Sequence, residues 1–104
     1  MRTQEMWCLV IRIKRNDTYK GKRVHNMVLD MLRDGKISGA TVWTGVAGYG
    51  KRGKSSLHVE GISVNMPLMI EAVDDLQKIE QVLPAIKEVI GENGLVTIHQ
   101  VGVV

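Results

Sequence analysis

At 104 residues, with 44% hydrophobic and 24% charged side chains, the chain has the composition of a globular domain with a modest core and little room for a second one. The net charge of +3 conceals an asymmetry: the first 59 residues carry twelve Lys/Arg against four Asp/Glu, whereas the remaining 45 carry two against seven. No apolar run approaches the ~18–20 residues of a membrane span, the opening MRTQEMW lacks a secretory pattern, and a single cysteine, Cys8, excludes an internal disulfide, so one cytoplasmic domain over residues 1–104 is expected.

Residues 6–14, MWCLVIRIK, alternate as a strand, with Trp7, Leu9, Ile11 and Ile13 on one side and Cys8, Val10, Arg12 and Lys14 on the other. The second face begins apolar, which implies that something covers it too. A cation-rich stretch, KRNDTYKGKR (14–23), leads into a helix whose Val24, Met27, Val28, Met31 and Leu32 form one apolar stripe. Gly35 suits a left-handed cap at its end. GATVWTGVAG (39–48) reads as a second strand, weakened at Gly45 and Gly48, because glycines in strands mark bends or close backbone approaches. Residues 49–65, YGKRGKSSLHVEGISVN, show neither sustained periodicity nor a compact turn, and a long structureless loop is expected there.

MPLMIEAVD (66–74) is the third predicted strand, with Pro67 tolerated at its start. Asp74 is the expected N-cap of a second helix, with Gln77 completing a capping box. Leu76, Ile79, Leu83, Ile86 and Ile90 form its seam, and Pro84 predicts a kink or break near residues 80–83. Gly91 ends the helix and LVTIHQVGVV (95–104) is the last strand. The order strand–helix–strand, long loop, strand–helix–strand predicts a ferredoxin-like α+β sandwich: a four-stranded antiparallel sheet, both helices on one face, and right-handed crossovers.

One motif tests that architecture. GYGKRGKS (48–55) matches G-x-x-x-x-G-K-[ST], with Gly48, Gly53, Lys54 and Ser55 in register. A nucleotide-hydrolysing loop of this kind must open a helix whose N-terminal amides hold the phosphates. The following residues, SLHVEGISVN, carry no helical stripe, so the match is a coincidence in a Gly- and Lys-rich segment. Its chemistry still matters, since glycines let backbone amides approach an anion and Lys51, Arg52 and Lys54 supply positive charge. His25, His58 and His99 have no metal-ligand spacing, and no metal is predicted. Asp74 and Asp75 read as helix-start residues, Ser55 and Ser56 have no evident general base, and Trp7 and Trp43 read as core or interface residues.

The stretch YKGKRVHNMVLDMLRDGKISGATVWTGVAGYG (19–50) resembles the signature of a bacterial and archaeal family of uncharacterised PII-like proteins. The matching positions are Tyr19, Lys20, Gly21 and Lys22, then Gly39, Ala40, Thr41 and Val42, then Gly45, Ala47, Gly48, Tyr49 and Gly50. PLMIEAVDDLQKIEQVLPAIKEVI (67–90) is similar to the family as well, including the proline in the second helix. The resemblance implies a ferredoxin-like fold and a homotrimer with its sheets towards the threefold axis. It also implies a T-loop at 49–65 that engages a membrane transporter or an enzyme, and a small anionic effector, such as an adenine nucleotide, between subunits. Members associated with fluoride-channel genes imply an ion-transport partner. The chain departs from true PII proteins in having Leu95 where they place a phosphate-reaching lysine, Tyr49 at the loop base and not its tip, and Arg23 where relatives have proline.

The expected effector-binding set is therefore Tyr19, Lys20, Gly21, Lys22, Gly45, Gly48, Gly50, Lys51, Arg52 and Lys54, in a regulatory protein with no catalytic residues. Two alternatives remain at this stage. A ferredoxin-like sheet binds RNA through exposed aromatics, here limited to Trp7, Trp43, Tyr19 and Tyr49, and would show steep salt dependence. A small trimeric enzyme would need an acid–base pair completed by another subunit.

Overall fold

In the computed structural model, which describes residues 2–56 and 65–104, the chain forms β1 (Gln4–Lys14), β2 (Thr18–Tyr19), β3 (Lys22–Arg23), α1 (Val24–Asp34), β4 (Thr41–Thr44), β5 (Ala47–Gly50), β6 (Gly53–Ser56), β7 (Pro67–Asp74), α2 (Leu76–Ile90) and β8 (Leu95–Val103). Strands β4, β7, β1 and β8, in that spatial order, make one antiparallel sheet. The ferredoxin-like α+β sandwich is therefore present, with β1 and β7 central because their apolar residues are the most continuous.

Strand alternation builds the core. Leu9, Ile11 and Ile13 of β1 pair with Ala72, Ile70 and Leu68 of β7 and point towards the helices. They meet Val24, Val28 and Leu32 of α1, with Met27 and Met31 packed at the margin, as the predicted stripe requires. On α2 the buried line is Ile79, Val82, Ile86, Val89 and Ile90, while Leu76 and Leu83 of the predicted seam are only half-buried. The helix therefore meets the sheet through a stripe rotated from the predicted one. The opposite face of β1 is also closed at its centre, where Cys8 and Val10 are buried. Burial, then the charge of Glu71, pushes the Cys8 thiol up, which keeps it protonated and unreactive.

Several local expectations are corrected. The left-handed residue after α1 is Lys36 (φ 66°), not Gly35 (φ −79°). Ile37 N–H donates to Leu32 O at 3.0 Å and Lys36 N–H to Arg33 O at 3.0 Å, the two bonds of a Schellman cap, with Ile37 buried beside Leu32 in the core. Gly35 is glycine for a different reason: a β-carbon there would overlap the Val82 γ-methyl of α2. Asp74 is not the N-cap of α2. That position is Asp75, without a side-chain cap bond, and Gln77 completes no capping box.

The Asp74 carboxylate is instead a buried tie. It accepts from Ser38 N–H at 2.8 Å and Asp75 N–H at 2.7 Å, with Lys78 Nζ 3.6 Å away. Burial pushes its carboxyl up, but those two amides and the Lys78 charge outweigh burial and hold it below the ordinary carboxylate range. Helix α2 runs from Leu76 to Ile90 with Pro84 inside it, so the predicted break does not occur. Residues 39–48 do not form one strand, because β4 ends at Thr44 and the chain turns at Gly45. Nor are residues 49–56 structureless, because β5 and β6 form a hairpin. Among the described residues, no helix is long and apolar enough to cross a membrane.

The helix-crossing geometry makes two predictions of opposite sign. Gly35→Ala should destabilise the fold by about 1–3 kcal/mol, because it overpacks the α1–α2 contact. Lys36→Gly should stabilise it by about 0.5–1 kcal/mol, because it relieves a left-handed non-glycine at a cap. Urea unfolding of both variants checks the signs.

Candidate functional site

The site begins where the chain leaves the sheet. Gly45 N–H donates to Pro67 O at 2.8 Å, and a β-carbon on Gly45 would lie 2.8 Å from the Pro67 ring. Only glycine permits that approach, and it swings the β5–β6 hairpin out of the edge strand β4 and across the end of the sheet. The hairpin pairs Ala47 with Ser56, Gly48 with Ser55, Tyr49 with Lys54 and Gly50 with Gly53, with Lys51 and Arg52 at the tip. Gly53 (φ 100°) follows the turn with the positive φ that it needs.

The tip reaches the opposite edge. The Lys51 ammonium donates to Glu92 O, and the Arg52 guanidinium to Asn93 O at 2.9 Å, just ahead of β8. Arg52 also forms a two-pronged pair with Asp17, at 2.6 and 3.0 Å, and Asp17 accepts Lys14 N–H at 3.0 Å. Burial pushes the Asp17 carboxyl up, but the Arg52 bond, the Lys14 amide and the two positive charges prevail and hold it below the ordinary range. The same bond raises Arg52. At the hairpin base, Lys14 Nζ donates to Ser55 Oγ at 3.0 Å, and that buried hydroxyl donates to Asn65 O at 3.0 Å.

Between hairpin and sheet lies a cleft of about 860 Å³. Its floor includes one rung of the sheet, Trp43–Met69–Arg12–Leu95, which register places side by side on the face away from the helices. Trp43 (54% exposed) gives it an aromatic wall, while the Tyr49 side chain shares the outward hairpin face of its partner Lys54 and is 92% exposed. Among the described residues, its charged lining is Arg12, Lys14, Lys51 and Arg52, with no carboxylate. Arg12 lines the cleft and makes no side-chain hydrogen bond to another described residue.

The structure divides the predicted set in two. Gly45, Gly48, Gly50, Lys51 and Arg52 line the cleft, while Lys54 faces outward from β6. Tyr19, Lys20, Gly21 and Lys22 form a separate β2–β3 hairpin, turned by positive φ at Lys20 (50°) and Gly21 (81°). There Tyr19 OH donates to Glu88 Oε1 at 3.3 Å and Lys20 Nζ sits 5.3 Å from the Tyr19 ring centre. Within one subunit, neither that hairpin nor Lys54 belongs to the cleft lining. Asp17, the counter-ion of Arg52, and the cleft cations Arg12 and Lys14 lie outside the predicted set. The available signals were the cationic end of the second β1 face and one acid amid the five cations of residues 14–23.

Ser55 lies in a strand, so no helix opens there and the phosphate-loop match is an accident of composition. Among the described residues, no three His, Cys, Asp or Glu side chains converge as a metal site. His58 and the rest of residues 57–64 lie outside the described residues.

Comparison with known proteins places this geometry in context. Residues 6–103 match the model of the family DUF190, described as Uncharacterized ACR, COG1993. UPF0166 protein MJ1524 of Methanocaldococcus jannaschii is 40% identical over 90 residues, covering 86% of this chain and 83% of that protein. A UPF0166 protein of Aquifex aeolicus is 30% identical over 105 residues, covering 100% and 98%. Among solved structures, CPII from Thiomonas intermedia K12, a nitrogen regulatory PII-like protein bound to ADP, AMP and bicarbonate, superposes with a TM-score of 0.77 at 17% identity, covering 98% of this chain and 91% of that one. A putative PII-like signaling protein, TTHA0516, from Thermus thermophilus gives a TM-score of 0.71 at 11% identity, covering 100% and 94%. The fold is thus PII-like.

The hairpin's attachments generate two predictions. Ser55→Ala should cost about 1–2 kcal/mol by removing a buried, doubly bonded hydroxyl, whereas exposed Lys54→Ala should stay within about 0.5 kcal/mol. A phosphate loop would have made Lys54 the critical residue, and chemical denaturation separates the cases. Asp17 has a depressed folded-state pKa, so its pair is fully formed above the ordinary carboxylate value of about 3.9 and is lost as pH falls through the lowered one. Protection of the hairpin amides, measured against their intrinsic exchange rates at each pH, should fall only in that acid range.

Proposed function

The chain belongs to the DUF190 family, and from that premise we propose that it is a PII-like regulatory protein which binds a small anionic effector in the hairpin cleft. The observation that carries this reading is the lining itself: four cations, no carboxylate among the described residues, and the exposed Trp43 ring beside a glycine-rich hairpin. Such a concave field concentrates anions. An adenine nucleotide, whose base stacks on an aromatic wall while its phosphates meet the cations, fits that chemistry, as does a bare oxyanion.

In this reading the cleft binds its ligand without turning it over. Its one buried hydroxyl, on Ser55, gives its proton to Asn65 O and receives a hydrogen bond from Lys14, the reverse of activation by a general base. No other acid–base pair stands among its described lining residues.

In this reading the protein is a homotrimer, with effector sites at subunit boundaries. Support comes from the sheet face away from the helices, where Trp43 and Leu95 are exposed beside half-buried Met69, Val73 and Val101. Lys20 and Lys22 then join the effector site only through a neighbouring subunit. The segment 49–65 acts on a partner such as a membrane transporter or an enzyme. The cytoplasm is the proposed location.

A thermal-shift panel of adenine nucleotides, cyclic nucleotides, bicarbonate and inorganic phosphate tests the site. A ligand at a hundred times its Kd should raise Tm by roughly 10 °C or more, since it adds about 2.7 kcal/mol to a domain of this size. Arg12→Ala and Lys51→Ala should each reduce that shift, and Lys20→Ala should reduce it only if subunits share the site. Light scattering should give three times the chain mass. A panel without a stabiliser, or a monomer, would refute the corresponding part.

A further inference from the structure

Of the four cleft cations, Arg52 is the one whose guanidinium is already occupied by a carboxylate. Asp17 fills its fork at 2.6 and 3.0 Å, with the Asp17 side chain 13% exposed and that of Arg52 29% exposed. Together with the bonds to Glu92 O and Asn93 O, this pair is what holds the hairpin tip to the rest of the described residues. A planar fork matches two coplanar oxygens wherever they come from.

We propose that Asp17 is a built-in competitor: an oxyanion entering the cleft takes the Arg52 fork from Asp17 and so releases the tip of the β5–β6 hairpin. The inference rests on the effector site proposed above and adds how occupancy is read out. The ligand group is defined by its chemistry, two coplanar oxygens carrying negative charge, as in a carboxylate, bicarbonate or phosphoryl group. The pair is two-pronged and mostly shielded, so its displacement needs more than Arg52 alone, and an anion in the cleft also feels Arg12, Lys14 and Lys51. A ligand shifts such an equilibrium only by the difference in its affinity for the two hairpin states. Asp17 supplies that difference, because it stabilises the attached tip and opposes the ligand. On release Asp17 keeps the Lys14 amide as a partner, so its carboxylate is not stranded.

The test uses the intact protein, with inorganic phosphate and bicarbonate as separate probes, followed by NMR titration of the Arg52 Nε–H resonance. Asp17→Asn should bind the probe about 3–10-fold more tightly at low salt, as removal of one nearby charge predicts. In an Arg52→Gln background the same substitution should change affinity by less than about twofold, the signature of direct coupling. A response to only one probe identifies which oxyanion the fork accepts. A readout free of substitutions is tryptic cleavage after Lys51 and Arg52, which a saturating probe should accelerate in the unaltered protein while cleavage elsewhere stays constant.

An equal effect of Asp17→Asn with and without Arg52 would overturn the proposal in favour of a diffuse field. Slower cleavage at the tip on adding the probe would overturn it too. Probe binding that ignores Asp17→Asn defeats the competition while leaving the anion site standing. Binding by neither probe to any variant defeats both.

Discussion

The cleft exists because the chain leaves the sheet at Gly45 with its N–H on Pro67 O and no β-carbon against the proline ring. Any other residue would have to move the β7 start or abandon that bond. From this pivot the β5–β6 hairpin crosses the sheet end and meets the turn before β8, so the binding volume is set by a hairpin laid over a rung of side chains. The sandwich beneath supplies rigidity. Leu9, Ile11 and Ile70 are fully buried, and the rung Trp43–Met69–Arg12–Leu95 sits at the end of those same strands. The positions of Arg12 and Lys14 are therefore inherited from core packing, whereas those of Lys51 and Arg52 come from the hairpin turn and its tethers.

Charge is then divided between structure and ligand. Lys51 and Arg52, which composition alone marks as anion binders, spend part of their hydrogen-bonding capacity on Glu92 O, Asn93 O and Asp17. Arg12 has no such commitment among the described residues, and Lys14 has one. A cluster of cations without internal partners would repel itself and splay the hairpin. With a carboxylate behind Arg52, the tip is held down and a strong local field still faces the cleft.

What the sequence discloses follows from how local each feature is. The α1 stripe and the alternation in β1 and β7 are short-range patterns that survive folding intact. The β5–β6 hairpin was invisible because AGYG and GKSS have little strand propensity, and its tip is held by partners 35 and 41 residues away in sequence. Gly35 and Lys36 exchanged roles for the same reason: a left-handed cap is a local preference, but the contact of Gly35 with Val82 belongs to the second helix. At Asp74 and Asp75 the ambiguity was a single residue, resolved by Ser38, whose amide claims the first carboxylate. The cationic nature of the site was legible from clustered Lys and Arg. Its membership was not, because Arg12 and Lys14 come from β1 and the counter-ion from the turn after it.

The rung that floors the cleft also belongs to the sheet face that the proposed trimer covers. Register continues from Arg12 to Val10 and Cys8 on the same side of β1, flanked by Glu71 and Val73 on one strand and Thr97 and His99 on the other. Cys8 and Val10 are already buried in one subunit, whereas Trp43 and Leu95, at the two ends of the rung, are not. Assembly over this face would bury those ends first and wall the cleft with a second chain. A ligand touching Trp43 or Leu95 would then contact the surface that holds subunits together. Effector affinity and assembly would be thermodynamically linked, each favouring the other by the same free energy. The hairpin tip is tied within one subunit, to Asp17 and the turn before β8, so under the proposed competition it would report occupancy without the assembly having to open.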